Sequence, residues 1–206
     1  MLRGLDDLVR AGKVLYTGIS DTPAWVVAKA NAIAEERHWT RFNAVQVEYN
    51  LVERTSEREI LPMARDEKLT VLAWSPLAGG LLSGKYRTNH KKQQDGSRLD
   101  DSPRLNDRNL AIADAVAAVA DERSVSPSSV ALAWIRQNPG IIPVVGVRKP
   151  QQLRENLTSL NLVLTPEQLD SLEEVSRITL GFPHDFMRSE NVQKTVYGSY
   201  HYVTNR

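Results

Sequence analysis

Two stretches of this 206-residue chain carry residue types, at usable spacings, that could hold an anion. In IPVVGVRKPQQLREN, Ile142 to Asn156, a β-rich run reaches Gly146, two cations follow at Arg148 and Lys149, and Pro150 opens a helix-like segment. Arg148 offers a planar fork suited to phosphate and Lys149 a point charge. Pro150 at a first helical position pre-sets a helix whose free N–H groups favour anions. Taken alone, the stretch fits a solvated Arg–Lys pair at an ordinary helix start equally well. In GGLLSGKY, Gly79 to Tyr86, the pattern G-x-x-x-x-G-K appears. A nucleotide triphosphatase needs Ser or Thr after the lysine to reach Mg²⁺, and a helix starting there; Tyr86 and a polar loop stand in those places. What remains is that Gly79, Gly80 and Gly84 permit left-handed backbone and close approach, so N–H groups could line an anion site. A glycine-rich turn without a ligand fits as well.

The remaining titratable groups suggest little chemistry. The adjacent carboxylates Asp6–Asp7, Asp100–Asp101 and Glu173–Glu174 read as solvated charge. The four histidines, His38, His90, His184 and His201, have no i,i+4 partner and no neighbouring cysteine, so a metal site is unsupported. Lys plus Arg total 26 against 25 for Asp plus Glu, a net charge of +1, which argues against a nucleic-acid or anionic-membrane partner. No run approaches the ~18 apolar residues of a membrane span. The N-terminal MLRGLDDLVRAGKV is amphipathic and has no apolar signal core. With no cysteine, disulfide scaffolds and thiol chemistry are excluded. A soluble, cytoplasmic protein is expected, and 41% hydrophobic with 25% charged residues suits an ordered globular chain.

The elements that must position these residues alternate in type. Leu2, Leu5, Leu8 and Val9 share one face of a helix that stops at Gly12. The runs Lys13–Ser20, Asn43–Tyr49, Leu69–Ser75 and Ile141–Val147 read as strands, with helices over 24–38, 56–68, 109–123, 127–138, 151–160 and 166–177. Asp21 or Thr22 caps the second helix, with Pro23 in its first turn. A polar loop runs from about Arg87 to Asp107, and the tail from about Thr179 shows no clear periodicity. Short apolar strands alternating with amphipathic helices predict a parallel sheet covered by helices. The four βα units are half of the eight that close a barrel, and no GxGxxG follows any strand, which disfavours a doubly wound nucleotide fold.

GKVLYTGISD, NAVQVEYNLVER, LAWSPLAGGLLSGKY and IPVVGVRKPQQLREN, in this order, strongly resemble the aldo/keto reductases, in the branch that also resembles potassium-channel β subunits. The likeness runs from about Leu2 to about Arg177. It implies a partial (β/α)₈ TIM barrel of class α/β, its second half, with four parallel strands and covering helices over residues 1–178 and a tail over 179–206. It also implies NADPH lying across the C-terminal mouth of the barrel. By resemblance, Ser20 and Asp21 contact the nicotinamide carboxamide (many members carry Asn at the second position), and Gln46 holds the same group. Trp74 stacks on the nicotinamide ring. Ser75, Leu77, Gly79 and Gly80 cradle the pyrophosphate, a cradle that Leu82, Ser83 and Lys85 extend. Gly146 and Arg148 match the adenosine 2′-phosphate site, and Gln152, Glu155 and Asn156 the ribose and adenine contacts.

The family's catalytic Asp, Tyr, Lys and His come from the first half of the barrel, and none of the six tyrosines here stands at a matching position. The chain therefore reads as the C-terminal portion of a reductase, with no catalytic residue assigned. Two functions are expected of it: the cofactor-binding half of an NADPH-dependent reductase of small aldehydes or ketones, or a catalytically inactive NADPH-binding or regulatory module. A half barrel has two open strand edges and an uncovered interior, so a homo-oligomer through those edges is also expected.

Overall fold

The computed structural model describes residues 1–86 and 102–198. Helix α1 (Leu2–Arg10) ends where Gly12 turns left-handed at φ 68° and the Lys13 N–H returns to the Leu8 carbonyl at 3.0 Å. This six-to-one closing bond belongs to the helix stop. It takes Lys13 out of the first strand, so β1 covers only Thr17–Ser20 and Leu15 and Tyr16 lie exposed before it. There follow α2 (Ala24–Glu36), β2 (Phe42–Glu48), a 3₁₀ turn at Thr55–Glu57, α3 (Ile60–Asp66) and β3 (Thr70–Trp74). Beyond the polar loop, most of which falls outside the described residues, come α4 (Asp107–Arg123), α5 (Pro127–Arg136) and β4 (Ile141–Pro143). The chain continues with α6 (Pro150–Leu157), α7 (Pro166–Ser176), α8 (His184–Arg188) and α9 (Glu190–Tyr197).

Local chemistry sets the helix starts. The Asn106 side chain accepts from the Asn109 N–H, and the Ser126 hydroxyl from the Ser129 N–H, with Pro127 in the first turn. Thr165 and Gln168 form a reciprocal capping box ahead of Pro166. Pro23 occupies the N-cap of α2 rather than its first turn, and the single helix expected over 56–68 divides into the 3₁₀ turn and α3.

The four strands are all parallel, in the order β1-β2-β3-β4. Ile19, Val45, Val71 and Ile141 form one row across the sheet, and Ser20, Gln46, Leu72 and Ile142 the next. Because side chains alternate across a strand, the two rows face opposite ways. Val45, Val47, Val71, Ala73 and Ile141 pack under the helices against Val27, Leu61, Ile112, Val116, Ile135 and Leu172, all buried. The Ser20 row lies partly or fully exposed on the other face, which no helix among the described residues covers. This is the expected partial (β/α)₈ barrel: four consecutive βα units, with one face of the sheet and the edges of β1 and β4 left open by the described residues.

Strand β4 is shorter than the expected Ile141–Val147. The Val144 N–H still bonds the Ala73 carbonyl at 2.8 Å, but β3 ends at Trp74, so the chain beyond Val144 has no neighbouring strand to pair with. Gly146 therefore sits in irregular backbone rather than at a strand end.

Two of the carboxylates read as solvated are structural. Asp6 is only 5% exposed and accepts from the Thr40 N–H and hydroxyl, both at 2.9 Å, and from Arg10 Nε at 2.6 Å, docking α1 onto the turn between α2 and β2. Glu173 pairs at 2.7 Å with Arg54, itself 5% exposed. A burial this deep is tolerated because each charge meets an opposite charge or a donor. Asp100 and Asp101 lie outside the described residues. The aperiodic tail contains α8 and α9, fastened by Arg58 donating to the Thr179 carbonyl at 2.9 Å and by His184 against Glu59 at 3.0 Å. Phe186 and Val196 on these helices stay exposed, so they bury no apolar stripe that a pattern could reveal.

Candidate functional site

Ligands of open parallel sheets and barrels bind beyond the C-terminal ends of the strands. Here those ends gather most of the residues singled out in the sequence. Ser20 closes β1, and Asp21 follows in left-handed backbone, φ 46°, with its N–H donating to the Gln46 carbonyl at 3.0 Å. The Asp21 carboxylate takes the Ser20 hydroxyl on Oδ2 at 2.9 Å and the Trp74 indole N–H on Oδ1 at 3.0 Å. Trp74 ends β3, so this second bond reaches from β1 to β3 over the top of β2. Gln46 lies beside Ser20 in the same cross-sheet row. Ser20, Asp21, Gln46 and Trp74 thus form one contiguous group on the open face.

After Trp74 the backbone takes a run of left-handed turns: Ser75 at φ 53°, Ala78 at 49°, Gly79 at 71°, Gly80 at 104° and Gly84 at 85°. Successive right- and left-handed residues point N–H groups to one side and form anion-binding concavities. A Cβ at Gly80 would meet only the Ser83 hydroxyl, at 4.0 Å, so there is room above this turn, while the Gly80 N–H itself is taken by the Leu77 carbonyl. At Gly84 a Cβ would fall 2.9 Å from Pro127 Cγ, which locks this loop against α5. Leu82 is buried at 1% exposure, so its side chain is core, while Lys85 is exposed. Leu77 offers its carbonyl to the Gly80 and Leu82 N–H groups at 2.9 and 3.3 Å.

The segment after β4 forms a second, separate group. Gly146, Arg148 and Lys149 are exposed, and a Cβ at Gly146 would meet nothing within 4 Å. Gln152 turns back on the chain: its Oε1 accepts the Arg148 and Lys149 N–H groups at 2.9 and 3.2 Å, capping α6. Glu155 is exposed and accepts from Gln151. Asn156 is buried, against a mainly apolar cavity of about 320 Å³ lined also by Leu132, Ile141, Ile142, Leu153 and Leu157. A second cleft, of about 350 Å³, opens at the ends of β1 and β2 between Asp21, Thr22, Glu48, Glu53 and Ile60.

Over residues 1–177 the sequence matches the aldo/keto reductase family. The chain belongs to that family. It is 37% identical over 191 residues to a probable aryl-alcohol dehydrogenase of Saccharomyces cerevisiae, covering 91% of this chain and 58% of that protein. It is 37% identical to an aryl-alcohol dehydrogenase of Pestalotiopsis microspora, covering 91% of this chain and 48% of that one. It is 36% identical to a norsolorinic acid reductase of Emericella nidulans, covering 94% and 49%. The chain spans about half the length of the curated relatives it matches. Among the described residues, no helix is long and apolar enough to cross a membrane.

Three residues that hold the loops around this candidate site carry no signal of that role in the sequence. Asn50, fully buried after β2, accepts the Val52 and Glu53 N–H groups on Oδ1, both at 2.9 Å, and donates from Nδ2 to the Ser75 carbonyl at 3.0 Å. One side chain thereby ties the loop after β2 to the turn after β3. An asparagine directly after a strand is a recognisable turn signal, but its partner lies in another loop. Arg104 grips Glu48 with both guanidinium nitrogens, at 2.6 and 2.9 Å, bringing the returning end of the polar loop onto β2. Arg54 lies 5.4 Å over the Trp134 ring and binds Glu57, Glu173 and the Ser176 hydroxyl, joining the loop after β2 to α5 and α7. Tyr49 stacks on the same Trp134 at 5.3 Å and donates to Glu57 at 2.8 Å. Burial, with Glu57 beside it, pushes its phenol above the usual range, and Tyr49 belongs to this structural network on the helix side of the sheet.

Proposed function

We propose that this chain is the cofactor-binding half of an NADPH-dependent reductase that interconverts small aldehydes or ketones and their alcohols, aromatic ones foremost. The observation that carries the reading is the gathering of Ser20, Asp21, Gln46 and Trp74 at the open ends of β1 to β3, directly ahead of the left-handed turns at Ser75–Gly80. The donor set suits the cofactor: amide and hydroxyl groups for a carboxamide, an indole face for the ring, backbone N–H groups for a pyrophosphate, and Arg148 for a 2′-phosphate. Lys85, Gly146, Gln152, Glu155 and Asn156 complete the proposed contact set. Bound NADPH would supply the hydride; the residues of this chain would hold and orient it. The names of two relatives, aryl-alcohol dehydrogenases, point to an aromatic substrate.

The second reading is an NADPH-binding or regulatory module without catalysis, favoured by Tyr49 lying in a buried structural network rather than at the open mouth. Fluorescence titration with NADPH, followed by NADPH oxidation with a reactive aromatic aldehyde, separates the two. Saturable binding with turnover supports the first reading, binding without turnover selects the second, and no binding removes both. A cytoplasmic location belongs to the same proposal, consistent with a chain lacking cysteine.

The open edges of β1 and β4 would complete themselves by pairing between copies of the chain. Leu15 and Tyr16 lie exposed beside the first edge, and Ile142, Val145, Leu153 and Leu157 beside the second. Sedimentation of the purified chain should show a self-associated species; a compact monomer that melts cooperatively would contradict the pairing.

A further inference from the structure

The oxidised nicotinamide ring carries a positive charge and the reduced ring none, so a fixed carboxylate beside the ring separates the two forms by electrostatics alone. Asp21 is a fixed carboxylate held against the Trp74 indole. Its backbone N–H is tied to the Gln46 carbonyl and its two oxygens to the Ser20 hydroxyl and the Trp74 indole N–H. Both side-chain donors are neutral, so they orient the carboxylate without cancelling its charge. The neighbouring Glu48, register partner of Trp74 on β2, is different: Arg104 grips it bidentately and neutralises it. Glu53, on the same cleft, is turned to the Thr55 N–H and hydroxyl. The charge held against the indole is therefore that of Asp21.

We propose that Asp21 is a determinant of cofactor redox form: clamped at the edge of Trp74, it makes the site favour NADP⁺ over NADPH more strongly than a neutral side chain there would. The inference rests on the proposed reading that Trp74 stacks on the nicotinamide. Its magnitude follows from a unit charge near the ring at a solvent-exposed site, roughly tenfold at most in relative affinity. Both forms carry the same pyrophosphate and 2′-phosphate, so the ratio of their dissociation constants isolates the ring charge from every other contact.

The experiment is calorimetric titration of the full chain with NADP⁺ and with NADPH, repeated for Asp21→Asn. Asparagine keeps an acceptor oxygen for the indole and tolerates left-handed backbone, so the geometry survives while the charge is removed. The indole N–H resonance of Trp74 monitors the clamp: it should stay in place in Asp21→Asn and move in Asp21→Ala, a readout independent of any cofactor. The expected result is that the preference for NADP⁺ falls by up to about tenfold in Asp21→Asn, and that in the wild-type chain it shrinks with rising salt. Equal ratios in the wild type and Asp21→Asn overturn the inference while leaving the cofactor site standing. Should Asp21→Asn fail to fold, a wild-type ratio unmoved by salt overturns it. Failure of both cofactor forms to bind a wild-type chain with a well-dispersed Trp74 resonance overturns the inference together with the function it rests on.

Discussion

Asn50 and Ser75, twenty-five residues apart, are joined by a 3.0 Å bond from Asn50 Nδ2 to the Ser75 carbonyl. The same carbonyl accepts the Ala78 N–H at 2.8 Å, so Asn50 sets the start of the left-handed turns proposed to cradle a pyrophosphate. Asn50→Ala should destabilise the chain by about 2 kcal/mol, because it leaves the Val52 and Glu53 N–H groups without their acceptor and takes one of two donors from the Ser75 carbonyl. Denaturant unfolding measures this. Asn50→Asp should be worse than Asn50→Ser, since a second acceptor would then face the Ser75 oxygen.

Arg54→Ala should cost roughly 3 kcal/mol, as removing one partner from a buried ion pair strands the others. The carboxylates of Glu57 and Glu173 would lose their shared cation and the Trp134 face its cover. A double-mutant cycle with Glu173→Gln should show coupling, because the two residues touch; additive losses would contradict a joint network.

Gly84→Ala should lower stability by about 1–2 kcal/mol from left-handed backbone alone. The 2.9 Å approach of a new Cβ to Pro127 Cγ adds to it. Gly146→Ala, where nothing lies within 4 Å, should leave the melting temperature within a degree or so. If Gly146 lies against the cofactor as proposed, the same change weakens NADPH.

Arg148→Ala should weaken NADPH about tenfold or more while leaving NADH nearly unchanged, since a charge-assisted contact to the 2′-phosphate exists only for the first. Parallel fluorescence titrations check this, and equal weakening of both cofactors would remove Arg148 from the 2′-phosphate site.

The pH dependence of stability should carry the signature of Asp6. Burial raises its carboxyl, but the hydrogen bonds from Arg10 and Thr40, with the Arg10 charge, outweigh this and hold it below the usual carboxylate range. A folded-state value below the unfolded one means the contribution is complete above the unfolded value of about 4. It is lost as pH falls through the lower folded value. Acid unfolding of Asp6→Asn should therefore be flatter than that of the wild type below about pH 4.

Much of the fold was legible because it repeats a simple rule. The stripe of Leu2, Leu5, Leu8 and Val9 and the glycine stop at Gly12 mark the first helix without any tertiary partner. Of the candidate site, Gly79 and Gly80 stand out by residue type, whereas Ser20 and Trp74 are marked only by the resemblance of the motifs that hold them. The ends of elements were less legible. Lys13 has the look of a strand residue but is claimed by the stop of α1, and Val145 and Val147 are β-formers left without a partner strand. The helices of the tail bury no apolar stripe and so gave no period to read. Asp6 and Glu173 looked like solvated charge because nothing in a linear pattern announces a partner 34 or more residues away.

The sequence by itself determined the alternation of four strands with amphipathic helices, the glycines that permit left-handed turns, and the cations after the last strand. These follow from local conformational preference and side-chain chemistry. Tertiary structure alone decided that Trp74 donates across β2 to Asp21 and that Asn50 holds Ser75. Each of these depends on which hydrogen-bonding groups the parallel register brings within 3 Å or so of one another. Distances between strands and loops are set by the packing of the whole sheet against its helices, not by any residue's own preference.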